Sequence, residues 1–591
     1  MPSARGLYSR ALLLSCLVAA LPVAGQAAVV DPLAFENTPG GQAIGIAPTP
    51  GRNGMVVVAQ DLAAHVGADI LARGGNAVDA AVAVGYAMAV VYPAAGNIGG
   101  GGFMTLRMPD GQATFVDFRE HAPGAATATM YQDAAGHVIP NASTKGWKAV
   151  AVPGTVAGLE QVHDRWGKLS RADVMAPAIT LARDGFILKP SDADLLHTST
   201  AEFARDPYAS KIFLHPDGTP LVAGERLVQP DLARTLERIA RKGASGFYEG
   251  PVAKEIIRSS QKGGGILSRK DFTSYHTRMM APLTCDYRGY HIDTAPPPSG
   301  GGVALCEMLN ILSGYDMHAL GLHTAAGVQR EVEAMRHAYA DRQDLGDPAF
   351  VNNPIAHLTD PAYAAQVRQY LPLNHAVSSA SLRPGAPEGE KEETTHYSIA
   401  DQSGMTVAVT YTLNGWFGAG VVAGRTGVVM NDEMDDFATR PGEPNMFGIV
   451  GSQANAIAPG KTPLSSMAPT IVSHDGQPAM VLGSPGGSRI PTIVLSVLTG
   501  MVDYGLDVQQ AVDLPRIHEQ WQPDVVQVEH GALSPAVIRT LTHEGYMVEE
   551  HAPWGVAESI LVGGPCIGRV GQARYYGGAD LRHQSGAAVG E

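Results

Sequence analysis

Residues Glu392–Asn414 read EETTHYSIADQSGMTVAVTYTLN. They end and follow a polar segment, Pro384–Glu393 (PGAPEGEKEE), whose Pro, Gly and Glu cannot bury enough surface to order themselves. That segment reads as an exposed linker. The runs THYSIA and MTVAVTYTL alternate at period two and are rich in β-branched and aromatic residues, so they predict a hairpin. Gly404 suits the left-handed position that closes a three-residue loop, Gln402–Gly404. Asp401 then pairs with Met405, which puts Thr394 opposite Thr412, with Asn414 on the same face.

A loose linker running into a strand that starts with threonine is what a self-cutting precursor needs. If the Glu393–Thr394 bond breaks, Thr394 carries a hydroxyl and a free α-amine on one residue. An α-amine of pKa ~7.7–8.0 can serve as the base that activates the hydroxyl. Periodicity alone would allow an ordinary hairpin with surface threonines, so the decision rests on residues elsewhere.

Those residues are DFREHAP (Asp117–Pro123), TTHYS, VTYTLN, NDEMDD (Asn431–Asp436), PLSSM (Pro463–Met467) and GSPGGSR (Gly483–Arg489). Together with Gly75–Met104, GNAVDAAVAVGYAMAVVYPAAGNIGGGGFM, they occur in an order that resembles the γ-glutamyltransferases, a family of the N-terminal-nucleophile hydrolases. The resemblance covers almost everything after about residue 50. It implies an α/β (α+β) fold, the four-layer αββα sandwich of that superfamily; periodicity alone says only mixed α and β. Two positions depart from the family pattern. Met405 stands at the hairpin turn where Ser or Asn is usual. Phe447, in NMFGIVG (Asn445–Gly451), replaces the tyrosine common in bacterial relatives with a lid, which removes a hydroxyl but keeps an aromatic cover.

Composition sets the bounds. The chain has 591 residues, of which 17% are charged and 45% hydrophobic, favouring one large core over several small ones. A formal charge of −15 argues against nucleic acid or an anionic membrane surface as partner. Residues 1–28 read as a signal peptide. Arg5 and Arg10 lead an apolar stretch, Ala11–Val23, followed by small residues at Ala24–Ala28. That stretch is shorter than the ~20 residues needed to span a bilayer, so the mature chain is expected to have no membrane span and to be exported, periplasmic or secreted. Cys16 does not mark a lipoprotein site, because the apolar run continues past it. The mature chain keeps Cys285, Cys306 and Cys566, an odd number that leaves at least one unpaired and indicates no disulfide framework.

Along the chain, a strand is expected at Met55–Gln60, then helices at Ala63–Arg73 and Val78–Val91. The second is apolar nearly all round and ends at Pro93, as a buried core helix does. Ala113–Arg119 alternates as a strand. From Val152 to about Tyr370 three-to-four spacing dominates, with helices at Thr155–Trp166, Ala172–Arg183, Asp231–Lys242, Pro251–Gln261, Val303–Leu312 and Gly327–Arg342. After Thr394 strands are expected at the hairpin, Gly427–Asn431, Thr470–His474 and Ala479–Gly483, with helices at Ile490–Val502 and Pro535–Thr542.

Several motif-like strings carry no chemistry. Gly460-Lys461-Thr462 lacks the first glycine of a phosphate loop, since Asn455 stands there. Gly99–Gly102 follows a helix rather than a strand, so it reads as close backbone packing. His518-Glu519 and His543-Glu544 lack a second histidine at metal-ligand spacing. His396 reads as a core or solvated strand histidine rather than a base. No metal or organic cofactor is expected.

The candidate site is an acyl-transfer set. Gly486 and Gly487 leave two backbone N–H groups clear of side chains, as an oxyanion hole requires, although by themselves they are a plain turn. Arg119 can grip a carboxylate bidentately, with Ser465 and Ser466 adding hydroxyl donors. Asn414, Glu433 and Asp436 can hold an ammonium. These positions match those with which the family binds the α-carboxylate and α-amine of a γ-glutamyl group.

The resemblance therefore implies a precursor cut into 29–393 and 394–591, a large and a small subunit building one domain. Thr394 would be the nucleophile, positioned by Thr412, acting on glutathione and other γ-glutamyl compounds with water, amino acids or dipeptides as acceptors. Two alternatives stay open: a glutaryl-cephalosporin acylase, and an unprocessed exported protein that only binds γ-glutamyl compounds.

Overall fold

A computed structural model describes residues 46–371, 374–382 and 394–591. The signal segment 1–28, the linker Pro384–Glu393 and the Glu393 side of the expected cut lie outside the described residues.

Two antiparallel seven-stranded sheets form the centre. One runs in the order Ala587–Gly590, Met55–Val58, Thr395–Ala400, Thr406–Thr412, Gly101–Arg107, Ala113–Asp117, Arg278–Met280. The other runs Thr49–Gly51, Tyr575–Ala579, Glu558–Val562, Gln477–Leu482, Thr470–His474, Tyr290–Thr294, Leu283–Tyr287. Alternation of side chains assigns the two faces of the first sheet. Val56, Val58, Tyr397, Ile399, Val407, Val409 and Tyr411 pack on the helices Asp61–Ala72 and Ala77–Val91. Met55, Val57, Ala400 and Ala408 face Ile471, Val481 and Ile560 of the second sheet. The far side of that sheet, with Ile292, Met480 and Leu482, is covered by the helices Gly301–Leu312 and Ile490–Val502. This is the αββα sandwich.

The hairpin has the expected register. Thr395 pairs with Tyr411 and Ala400 with Thr406, which sets Thr394 against Thr412. Asp401 N–H donates to the Met405 carbonyl at 3.1 Å, and Gly404 has φ +90°. The Asp401 carboxylate also accepts from Ala77 N–H at 2.8 Å, so the turn docks on the start of the core helix. The Gly99–Gly102 run packs against the hairpin: a Cβ on Gly100 would lie 2.0 Å from the Thr412 carbonyl oxygen, and one on Gly102 2.5 Å from that of Thr410.

Four expectations need correction. Gly427–Asn431 is not a strand; it carries one isolated bridge, Val422 with Val429, and begins at a left-handed Gly427. The glycine run leads into a strand, Gly101–Arg107, hidden by its two leading glycines. The mostly helical stretch contains five strands, Phe186–Ile187, Arg226–Leu227, Arg278–Met280, Leu283–Tyr287 and Tyr290–Thr294, each too short to display a period. The odd cysteine count does leave Cys566 free, but Cys285 and Cys306 form a disulfide that ties an edge strand to the helix covering it.

Candidate active site

Thr394 sits just before the strand Thr395–Ala400 and is buried between the sheets. Its hydroxyl lies 3.3 Å from Thr412 Oγ1, which also accepts the Asn414 backbone N–H at 2.9 Å. Asn414 ends that strand run at φ +76°, which turns its amide toward the Asp432 carbonyl (3.2 Å) and Met446 Sδ (3.3 Å). His396, two residues on, is a core histidine: its ring nitrogens contact Thr410 and Ser398 hydroxyls, and burial lowers its pKa to about 3. Gly483 packs on this ring so closely that a Cβ there would lie 2.1 Å away.

From Gly483 the chain turns through Gly486 (φ +136°) and Gly487 (φ +53°) into the helix Ile490–Val502. Both conformations favour glycine. Neither N–H is taken by an acceptor among the described residues, so both can serve a developing oxyanion.

Arg119 is fully buried and ion-paired to Glu433 through Nη1 and to Asp436 through Nη2. The residues expected to grip opposite ends of a zwitterion are thus brought together and paired with one another. Burial alone would lower the Arg119 pKa, but Glu433, Asp436 and Glu120 hold it above the ordinary value. The other acids in and just before the turn Glu433–Asp436 are structural. Asp432 accepts Gly415 N–H at 2.7 Å, and Asp435 accepts the Ser143 hydroxyl at 2.6 Å and Met446 N–H at 2.9 Å. Burial raises Asp432 to about 8 and Asp435 to about 6.

Two residues escaped the sequence reading. Glu120 is buried against Glu433, and burial pushes it up to about 7, so these neighbouring acids hold a proton near neutral pH. Its only signal was adjacency to Arg119. Arg342, also buried, donates to Ser466 Oγ at 3.1 Å and to the Ser465 carbonyl at 3.3 Å, while Ser465 Oγ accepts Met467 N–H. No local pattern marks it, because its partners lie 123 and 124 positions away. Arg342, Asp436, Asn445, Ile449, Asn455 and Leu464 line one cavity. The segment 438–451 covers it, with Asn445 donating to Asp436 at 3.1 Å and Phe447 buried.

A gamma-glutamyltranspeptidase family model matches residues 63–590. The chain belongs to that family. A glutathione hydrolase proenzyme of Pseudomonas sp. (strain A14) is 53% identical over 547 residues, covering 92% of this chain and 95% of the relative. The glutathione hydrolase proenzyme of Escherichia coli (strain K12) is 46% identical over 519 residues, covering 87% and 89%. Among solved structures, a cephalosporin acylase from Bacillus halodurans aligns with a TM-score of 0.81 at 27% identity, covering 93% of this chain and 98% of that one. As a family member the chain is an enzyme. Met405, one of its two departures, closes the hairpin without disturbing it.

Proposed function

We propose that the chain is a precursor that cuts itself at Glu393–Thr394 and then hydrolyses or transfers the γ-glutamyl group of glutathione and related amides. The observation that carries this reading is the Thr394 hydroxyl, set 3.3 Å from Thr412 Oγ1 on a strand that leads to Asn414 and the Arg119–Asp436 pair.

In maturation the Thr394 hydroxyl attacks the Glu393 carbonyl carbon. The C–N bond breaks as the amine takes a proton, leaving an ester that water hydrolyses. The freed α-amine then accepts the proton of the same hydroxyl in turnover. Thr394 Oγ1 attacks the γ-amide carbon, and the Gly486 and Gly487 N–H groups receive the oxyanion. The amide nitrogen leaves protonated, as cysteinylglycine from glutathione. Water or an acceptor amine attacks the γ-glutamyl ester and releases Thr394. Hydroxyl, amine and water complete every step, without metal or cofactor.

Charge explains donor choice. A donor zwitterion inserted between Arg119 and the pair Glu433/Asp436 replaces their internal ion pairs by new ones at both ends, so no buried charge loses its partner. Ser465, Ser466 and Asn414 complete the two ends. A glutaryl group, the acylase alternative suggested by the structural neighbour, brings no ammonium and would strand both carboxylates.

The two subunits, 29–393 and 394–591, would remain one domain, since each sheet contains strands from both. The Cys285–Cys306 bridge supports an oxidising, exported location. Among the described residues no helix is long and apolar enough to cross a membrane. A denaturing gel and steady-state kinetics on a γ-glutamyl anilide, with and without a dipeptide acceptor, test the proposal. One band and no turnover would leave only the binding-protein alternative.

A further inference from the structure

A buried chain of side chains joins the covering segment to the base of the glycine turn. Gln520 Nε2 lies 3.3 Å from the Phe447 carbonyl oxygen, and Gln520 Oε1 lies 3.0 Å from His518 Nε2. On its other side, His518 Nδ1 lies 2.9 Å from Thr492 Oγ1, in the first turn of the helix that Gly486 and Gly487 introduce. All four residues are more than nine-tenths buried. Tyr339 fixes the near end, its ring edge-on to His518 at 5.5 Å and its hydroxyl donating to the Ser488 carbonyl.

The proton positions along this chain follow from one fixed end. A carbonyl oxygen can only accept, so the Gln520 amide nitrogen faces Phe447 and its oxygen faces His518. That oxygen also only accepts, so His518 carries its proton on Nε2. Nδ1 is then the acceptor, and the single Thr492 proton points to it rather than to the Arg489 carbonyl, which lies 2.9 Å from the same hydroxyl. Doubly protonated His518 would reverse the Thr492 link, with Nδ1–H donating to Oγ1 and the hydroxyl proton turning to the Arg489 carbonyl. Burial, with Arg489 nearby, prevents this by lowering the His518 pKa to about 3.

We infer that Thr492, His518 and Gln520 form a polarised relay whose last link clamps the Phe447 backbone, and that Gln520 and His518 are positioning residues holding segment 438–451 closed over the donor site. The clamp uses a main-chain carbonyl. It therefore does not need the hydroxyl that Phe447 lacks, and it supplies a polar hold that the phenylalanine ring cannot. Its value to turnover rests on the donor site proposed above, but its existence does not.

The test measures the clamp apart from activity. Chymotrypsin cleaves after an accessible phenylalanine, and Phe447 is shielded while the segment is closed. Cleavage at Phe447, followed by mass spectrometry, therefore reports the open population when opening is fast relative to cutting. Gln520→Met removes both of its links at similar volume. It should speed cleavage by roughly fivefold or more, the scale of one buried hydrogen bond. It should also raise KM for γ-glutamyl-p-nitroanilide, leaving kcat within about twofold on the same scale and self-cleavage complete. Thr492→Val, which removes only the far donor, should move both readouts in the same direction by a smaller factor. Wild-type cleavage rate and KM in Gln520→Met would overturn the clamp, and wild-type behaviour in Thr492→Val would overturn the relay. In the unmodified protein, ¹⁵N-histidine spectra should show His518, identified by loss of its signal in His518→Gln, as the Nε2–H tautomer; the Nδ1–H form would overturn the proton order. If the protein proves inactive on γ-glutamyl donors, cleavage and tautomer still decide the clamp.

Discussion

Arg119 and Asp436 stand 317 positions apart and form a direct ion pair, and Asp436 also lines a cavity with Arg342 and Asn445. Cleavage at Thr394 would place them in different subunits, so the pair would also bridge the mature enzyme. Asp436 serves as charge partner for Arg119 and as acceptor for Asn445 in the covering segment. Asp436→Asn removes the charge at nearly constant volume. It should weaken γ-glutamyl binding by roughly 2–5 kcal/mol, the cost of truncating one member of a buried charge pair, while lessening the penalty against glutaryl groups. The measurement is kcat/KM on matched γ-glutamyl and glutaryl anilides. An unchanged ratio would mean that Asp436 does not read the amine.

Arg119→Lys keeps the charge but not the fork. A lysine ammonium cannot present two parallel donors to Glu433 and Asp436, or to a donor carboxylate. The variant should raise donor KM at least tenfold, about 1.4 kcal/mol, and still process to two subunits. An unaltered KM would remove Arg119 from the site.

Thr394→Ala should remain one full-length chain without activity, because one hydroxyl serves both maturation and turnover. Thr394→Ser should still cut. Two normal subunits from the alanine variant would place the cleavage elsewhere.

Glu120 gives the site a pH signature. Burial raises its folded-state pKa to about 7, above the ordinary carboxylate value, so the folded protein binds more protons than the unfolded chain between the two. Its contribution is fully present below about pH 4.5 and is lost as pH rises through about 7. Glu120→Gln removes this dependence. The Tm of the variant relative to wild type should therefore rise between pH 5 and 8, and parallel Tm curves would show that Glu120 does not hold the proton.

The Cys285–Cys306 bridge closes a sequence separation of 21 residues. Replacing it by the Cys285→Ser, Cys306→Ala pair should cost about 2–4 kcal/mol in denaturant unfolding, without altering donor kinetics. A variant as stable as wild type would show that the hydrophobic contacts of the helix Gly301–Leu312 hold the edge strand without it.

Local chemistry made part of this protein legible in one dimension. Alternating side chains and a glycine-closed turn determined the register that sets Thr394 opposite Thr412, because a one-residue slip would send every apolar residue to the wrong face. A run without charge after Asp79 indicated the core helix, expected at Val78–Val91 and found at Ala77–Val91. The order of separated motifs identified the family and nominated Arg119, Glu433 and Asp436. Only the tertiary structure decided that these three bind each other, that Glu120 shares their burial, and that Arg342 reaches Ser465 and Ser466. It alone joined Gln520 to Phe447 and Cys285 to Cys306. Each depends on which strands become neighbours and on how far water is excluded between the sheets. Those are properties of the folded sandwich: the same arginine, acid or histidine in a solvated chain has neither the partner nor the desolvation that defines its role.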